Sequence, residues 1–264
     1  MTHSNNTKVA RPMEVSPIVN LVLEIIIPFK ENYKTLQDLL FKLQQIKNVN
    51  FSVTLVDDNS MNLDFSKNLK NVGGLKIIRL DEDQGFGFAV NEAVKQSKNE
   101  YFLVMHSDVY GLDLNTVRTL FLNLLDSRKD NVAAMSAMID NPLPNECDYI
   151  KADGPIAEDY VVCHDKQFVP FICTAFYKDA FSRVGGFPSY KYCLFEDKLL
   201  CKKLKAFGYK VAYCPASFCR HYGGQTVRRL ISKNPEALEA IKKNAEIFKK
   251  DSQILEDHLK KISH

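Results

Sequence analysis

The sequence has no stretch able to cross a bilayer. Spanning needs roughly 18 consecutive apolar residues, and the longest apolar run, residues 18–29, is broken by Asn20 and Glu24. The first 16 residues are polar, include Pro12 and lack the apolar centre of a secretory signal. Charge of one sign is also scarce: 35 basic against 32 acidic residues leave a formal net charge of +3, too little to call for a nucleic acid. Internal repeats are lacking. Seven cysteines, an odd number, are scattered over 264 residues, a chain long enough to build a core without disulfide staples. Free thiols in a reducing compartment follow. These absences predict a cytoplasmic protein with a disordered leader over residues 1–20, no nucleic-acid partner and at most peripheral membrane association.

One cysteine spacing invites a zinc reading. Cys214, Cys219 and His221 offer three soft ligands, but no fourth ligand is evident nearby and the spacing is not that of a common zinc site. Buried thiols are the simpler expectation.

What is present is an alternation of apolar runs and helical spacings. Residues 21–27 (LVLEIII) read as a strand closed by Pro28, and Tyr33 to Leu43 as a helix with Leu36, Leu39, Leu40 and Leu43 on one face. Residues 51–56, 75–80 and 101–105 read as strands and 86–96 as a helix. This order predicts a mostly parallel sheet covered by helices. Further on, helices are expected over 115–127, 179–183 and 198–207, the last capped by Gly208. Strands are expected over 132–139, 168–176 and 210–213, with residues 141–166 as a loop over the site. Asn234 and Pro235 mark a helix start. Leu238, Ile241, Ala245, Phe248, Leu255, Leu259 and Ile262 then follow three and four apart, close to four heptads, with Ser252 filling the gap. That tail, residues 231–264, fits a helix docked on its own domain, a helix pairing with another subunit, or, through its lysine pairs, one lying on an anionic membrane.

The polar residues fall where a site would form. Lys30 and Glu31, Asp57 and Asp58, Asp81 to Asp83, and His106 to Asp108 each follow an expected strand. In an open α/β sheet the carboxyl ends of the strands line the ligand crevice. A crevice of carboxylates repels an anion unless a cation intervenes, which implies a divalent metal. The run Asp83-Gln84-Gly85-Phe86-Gly87-Phe88-Ala89-Val90-Asn91 opens a helix whose N-terminus favours phosphate. It is not a dinucleotide fingerprint, because Val90 stands where the third glycine belongs and the run follows the third strand.

IIIPFKEN, VTLVDDNS, LDEDQGFGFAVNEAV and YFLVMHSDV resemble, in that order, the nucleotide-binding half of family 2 glycosyltransferases. FVPFICTAFYKDAFSRVGGFPSYKYCLFEDKLLCKKLKAFGYKVAYCPASFCRHYGG is similar to the acceptor half of the rhamnosyl- and galactofuranosyl-transferase-like members. The resemblance implies an α/β GT-A fold, the nucleotide-diphospho-sugar transferase fold, with a mostly parallel central sheet and a C-terminal helical tail. Its domain would span residues 21–230, with residues 21–114 binding nucleotide and 115–230 acceptor. It implies an inverting transfer from an NDP-sugar, UDP- or dTDP-linked, to a saccharide or glycolipid, with Mn²⁺ or Mg²⁺. Pro28, Phe29 and Glu31 would close the base pocket, and Asp57 and Asp58 would face the nucleoside. Asp83, Gly85 and Phe86 would lie at the donor, and Asn91 would point at the nucleotide or hold the loop.

The family's metal motif usually has two acids separated by one residue, and here it reads His106-Ser107-Asp108. Asp108 would ligate the metal with His221, while His106 would bond ribose, ligate manganese or serve structure alone. Cys173 and Thr174 lie where relatives touch the donor sugar. Glu196-Asp197 resembles the acid pair that holds the general base, with Asp197 as base and Glu196 binding acceptor or donor. Phe187, Tyr190, Tyr192 and Phe195 offer faces on which a sugar could stack. Many members carry arginine at the position of Val90, so one diphosphate contact is missing. A catalytically degenerate relative that binds nucleotide sugar without turnover is the alternative. A nucleotidyltransferase is disfavoured, because no loop rich in glycine, arginine and lysine follows the first strand.

Overall fold

The computed structural model describes residues 21–62, 65, 69, 74–140, 160–163, 168–223, 231–232 and 236–262. The expected leader, nearly all of the expected loop over 141–166 and the Asn234–Pro235 helix start lie outside them.

Strand β1 (Leu23–Phe29) is buried along its whole length. It pairs in parallel with β2 (Phe51–Asp57) on one side and β4 (Tyr101–Met105) on the other, so that Ile26 faces both Thr54 and Val104. β3 (Leu75–Arg79) extends the sheet beyond β2, also in parallel. Helices cover both faces of such a sheet, which is why the central strands β1 and β4 are near-continuous apolar runs and not alternating ones. α1 (Tyr33–Gln44) turns Leu36, Leu39, Leu40 and Leu43 inward, each worth about 1.5–3 kcal/mol of burial. α2 (Phe86–Gln96) buries Ala89, Val90, Ala93 and Val94. Glu24, a charge at the second position of β1, is 5% exposed and survives there because Thr54 Oγ1 (2.5 Å) and Ser97 Oγ both donate to it.

Beyond β4 the sheet becomes mixed. β8 (Cys173–Tyr177) runs antiparallel to β4 and to β6 (Val132–Ile139), and β9 (Lys210–His221) runs parallel to β6. The short strands β5 (Val109–Tyr110) and β7 (Val161–Val162) pair antiparallel with β9, giving nine strands among the described residues. α3 (Thr116–Asp126), α4 (Lys178–Arg183), α5 (Glu196–Ala206) and α6 (Glu236–Ile262) complete the described fold.

Four expectations shift. β8 starts at Cys173 instead of Phe168. α5 starts at Glu196, two residues early. β9 continues to His221, because the ladder jumps from Ala137–Cys214 to Met138–Phe218 and lets Pro215, which has no N–H to give, loop out. On α6 the buried line is Ala237, Ile241, Asn244 and Ser252, while Leu238 is 40% exposed. That face packs on α5. No described helix is long and apolar enough to cross a membrane.

The topology fixes where chemistry can occur. β1, β2, β3, β4, β6 and β9 all point the same way, and β8 begins at the edge where they end. Glu31, Asp57, Asp58, Asp108 and His221 therefore reach one rim.

Candidate active site

Three acids of the N-terminal half are already committed to holding turns. Asp57 Oδ1 accepts the Ser60 N–H at 2.8 Å, and Oδ2 pairs with the Arg79 guanidinium at the end of β3. Arg79 also donates to Asn59 Oδ1 (3.1 Å) and Ser60 O (2.8 Å). Asp57, expected to face the nucleoside, thus braces the turn that carries Asp58. Arg79 was not among the expected site residues; a cation closing a strand beside an acid-ending neighbour was the available signal.

Asp58 accepts the N–H groups of Gln84 (2.8 Å) and Gly85 (3.0 Å). Burial pushes its carboxyl up to about 6; those N–H bonds oppose the rise and the neighbouring Asp83 adds to it. Asp83 itself pairs with Lys30 at 2.5 Å. Glu31, at φ 55, accepts the Met61 N–H (2.5 Å) and the Tyr33 hydroxyl (3.0 Å). Pro28 is buried within β1, and the Phe29 ring packs edge-on against Phe65, with centroids 5.9 Å apart.

The glycine-rich turn is close-packed against protein. Gly85 has φ +90, and a Cβ there would lie 2.6 Å from Tyr190 O and 2.7 Å from Tyr192 N. The backbone that approaches it is residues 190–192, where a ligand was expected. Phe86 N–H donates to Tyr192 O at 2.7 Å, and its ring lies 4.8 Å from His106. Asn91 is bonded to the backbone of Phe187: Nδ2 donates to Phe187 O (2.8 Å) and Oδ1 accepts Phe187 N–H (3.1 Å). Thr174 is fully buried and donates to Ser136 Oγ at 2.9 Å. Cys173, equally buried, lies beside Cys219. Phe187 is also core, packed among Phe86, Phe171, Phe176 and Phe181, and Phe195 stacks on Phe248 of α6. Neither is a free platform for a sugar.

His106, Asp108 and His221 bring one ligand atom each within 4.8 Å of one another. The β5–β9 pairing builds this cluster by setting Val109 opposite His221. His221 Nε2 lies 3.0 Å from Asp108 Oδ1. Burial pushes the Asp108 carboxyl up, but the His221 hydrogen bond and the two imidazoles outweigh it and hold the group below its usual value. His106 is pushed down to about 4, first by burial and then by His221, so its ring is neutral near pH 7 and keeps a lone pair. Its Nε2 is buried with no hydrogen-bond partner among the described residues. A neutral imidazole with an unused nitrogen, an ionised carboxylate and a second imidazole are a donor set that suits a divalent cation. Ser107 is held from α1's start by Asn32 Nδ2, 3.4 Å from its Oγ. The zinc spacing does not assemble: Cys214 accepts from Ser217 Oγ at 3.5 Å, and His221 faces Asp108 instead.

Glu196 and Asp197 occupy the first turn of α5. Asp197 Oδ2 accepts the Phe171 N–H at 3.1 Å, which fixes the carboxylate at the entry to β8. The chain reaches them through a strained passage. Tyr192, Leu194 and Phe195 have φ of 68, 82 and 73, a region costing such side chains about 1–3 kcal/mol each. Cys193, within that passage, reports what surrounds it. Burial pushes its thiol up, and the charges of Glu196, Asp197, Asp83 and Asp108 push it further. Acids from the turn before α2, from the end of β4 and from α5 thus act on one point. Tyr110 and Tyr222 stack with centroids 4.1 Å apart, a pair unexpected from sequence.

A family model described as "Glycosyl transferase family 2" matches residues 24–183. No curated protein sequence matches the chain. Among solved structures, the mannosyltransferase PcManGT from Pyrobaculum calidifontis, in complex with GDP-Man and Mn²⁺, is 16% identical with a TM-score of 0.56, over 75% of this chain and 56% of its own. GalNAc-T7 with UDP, GalNAc and Mn²⁺ is 15% identical with a TM-score of 0.59, over 76% of this chain and 44% of its own. S. aureus TarS 1-349 in complex with UDP-GlcNAc is 16% identical with a TM-score of 0.58, over 78% of this chain and 60% of its own. At such identities the likeness is one of fold, and the chain spans about half the length of these proteins.

Proposed function

This chain belongs to glycosyl transferase family 2, and from that premise we propose that it is an inverting, metal-dependent hexosyltransferase. It moves a sugar from an NDP-sugar, UDP- or dTDP-linked, to a hydroxyl of a saccharide or glycolipid, in the manner of the rhamnosyl- and galactofuranosyl-transferase-like branch. Residues 21–114 bind the nucleotide, residues 115–230 the acceptor, and residues 231–264 form the helical tail. The solved relatives named above carry GDP-Man, UDP-GlcNAc or UDP, two of them with Mn²⁺, which supports a nucleotide-sugar donor here. One observation carries the reading: at the rim where the strands end, His106, Asp108 and His221 bring one ligand atom each within 4.8 Å of one another, a cation site of the kind a departing diphosphate needs.

Asp197 takes the proton of the acceptor hydroxyl as that oxygen attacks the anomeric carbon from the face opposite the diphosphate. The sugar–oxygen bond breaks, the diphosphate leaves with the electron pair, and configuration inverts. The Phe171 N–H bond aims the base, and the helix N-terminus favours the negative charge it carries before the step. Glu196 binds acceptor or donor sugar. Asp58 and the turn it holds position the nucleoside end. Asp108 and His221, with His106 beside them, would hold Mn²⁺ or Mg²⁺, which when bound neutralises charge on the departing diphosphate.

The test is hydrolysis of a panel of NDP-sugars with and without Mn²⁺. Slow, metal-dependent release of NDP is expected. Tight binding of nucleotide sugar with no release, even when acceptors are varied, would establish the degenerate alternative. That alternative draws support from Val90, which is fully buried and offers the diphosphate nothing.

A further inference from the structure

We propose that Asn244 of the C-terminal helix is a positioning residue for the acid pair Glu196–Asp197, acting through the backbone of residues 191–195. The proposal rests on the transferase reading for its kinetic consequence, but not for its geometry. Asn244 is 2% exposed, on a helix face otherwise expected to be apolar. Its Nδ2 donates to Lys191 O at 2.8 Å and to Cys193 O at 3.1 Å, so both amide hydrogens are spent on the loop that leads to the acids. A buried amide is retained only where such bonds compensate its desolvation.

The loop needs holding. Its left-handed Tyr192, Leu194 and Phe195 persist only if the surroundings over-determine them. Three anchors from α6 do this: Asn244, the stack of Phe248 on Phe195 at 5.5 Å, and Asp251, which accepts the Tyr190 hydroxyl at 3.0 Å. A fourth anchor comes from the donor side, where Phe86 N–H donates to Tyr192 O. Phe195 is also the residue from which α5 starts, its carbonyl accepting Leu199 N–H at 3.1 Å. A shift of the 191–195 backbone therefore moves Asp197 directly. Both the loop and α6 lie outside residues 24–183, the part matched by the family model.

The experiment compares Asn244→Leu and the near-isosteric Asn244→Asp with Ile241→Ala. Ile241 is buried on the same helix face but has no polar group to give the loop. Two readouts are taken on the full chain: amide hydrogen exchange over residues 192–197 without ligand, and kcat beside nucleotide affinity. Both Asn244 variants are expected to speed exchange at 192–197. They should lower kcat roughly 100-fold, the cost of an acid displaced by about 1 Å, while UDP affinity stays within a few-fold. Ile241→Ala, at a similar loss of Tm, should leave exchange in the loop unchanged and kcat within about twofold. Unchanged exchange at 192–197 in the Asn244 variants overturns the proposal, and so does a kcat loss that Ile241→Ala reproduces. If the wild-type chain transfers no sugar from any donor, the functional reading fails, and the exchange experiment still decides the clamp.

Discussion

In the N-terminal half, Asp57 and Asp58 close a strand and are held by backbone N–H groups of Ser60, Gln84 and Gly85 and by Arg79. The left-handed residues there, Glu31 and Asn59, stand alone, and asparagine adopts that region readily. In the C-terminal half, Glu196 and Asp197 follow a tyrosine, a leucine and a phenylalanine in the left-handed region, a conformation that none of them favours. The first half makes its turns from its own residues. The second has its geometry imposed from outside, by α6 and by the turn at Gly85. Damage to the first half should therefore appear as lost binding, and damage to the second as lost turnover.

The largest effect expected is that of Asp197→Asn. Loss of the proton acceptor should lower kcat by about 10²–10⁴-fold, with NDP-sugar affinity changed by no more than a few-fold in calorimetry. Undiminished transfer would remove Asp197 from the role of base. Asp108→Asn tests the cradle at the seam of the halves. Mn²⁺ affinity, read by electron paramagnetic resonance, should fall by more than about 100-fold, the upper range for changes one shell further out. The fold should survive, because the change nearly preserves volume and the lost partner is His221 at 3.0 Å. Mn²⁺ binding that survives this change would break the assignment.

The contrast between halves also explains what could be read from the sequence. β1, β2 and β4 were legible because buried parallel strands are mostly apolar runs, and polar residues stand at or just after the end of each at the rim. Phe86 to Gln96 was legible to the residue, since Gly85 and Gln96 bound a clear helical spacing. In the second half the cues mislead. The strand read over 210–213 in fact continues to His221, the chain looping out Pro215 on the way. Leu194 and Phe195 carry no glycine-like signal of a left-handed turn, so the start of α5 is read late. Aromatic side chains look alike whether they stack on sugar or on each other, and Phe187 and Phe195 do the latter. Asn244 is a polar residue on an apolar face, three after Ile241 and four before Phe248; its meaning depends on carbonyls fifty residues away in sequence.

Gly85→Ala strikes the contact between the halves and should have an intermediate effect. The added Cβ would fall within 2.8 Å of Tyr190 O and of Tyr192 N and O, at a φ that disfavours any side chain. A loss of about 1–3 kcal/mol is expected, seen as a lower urea midpoint with an unchanged slope. Turnover should fall more than nucleotide affinity, because the displaced backbone is that of the acid loop. If affinity falls more, the turn serves the donor and the division between halves is drawn in the wrong place.

The smallest effect concerns charge alone and belongs to the first half. Asp58 binds its proton up to a pH of about 6 in the folded chain, against 3.8 when exposed. The folded state thus holds the proton more tightly than the unfolded one. Stability contributed by this group is greatest below 3.8, falls as pH rises toward 6 and stays low above it. Burial is the main cause and Asp83 a further one, so Asp83→Asn should lower the Asp58 midpoint while leaving it above the ordinary carboxylate value. Carboxyl carbon NMR would follow that midpoint directly, and the slope of Tm against pH between 4 and 6 should flatten with it. The variant also removes the Lys30 ion pair, an exchange between two partly exposed groups worth about 0–1 kcal/mol, too little to mask the direction. An unmoved midpoint would mean that desolvation alone sets Asp58. The N-terminal acids would then be independent of one another, each held by its own turn.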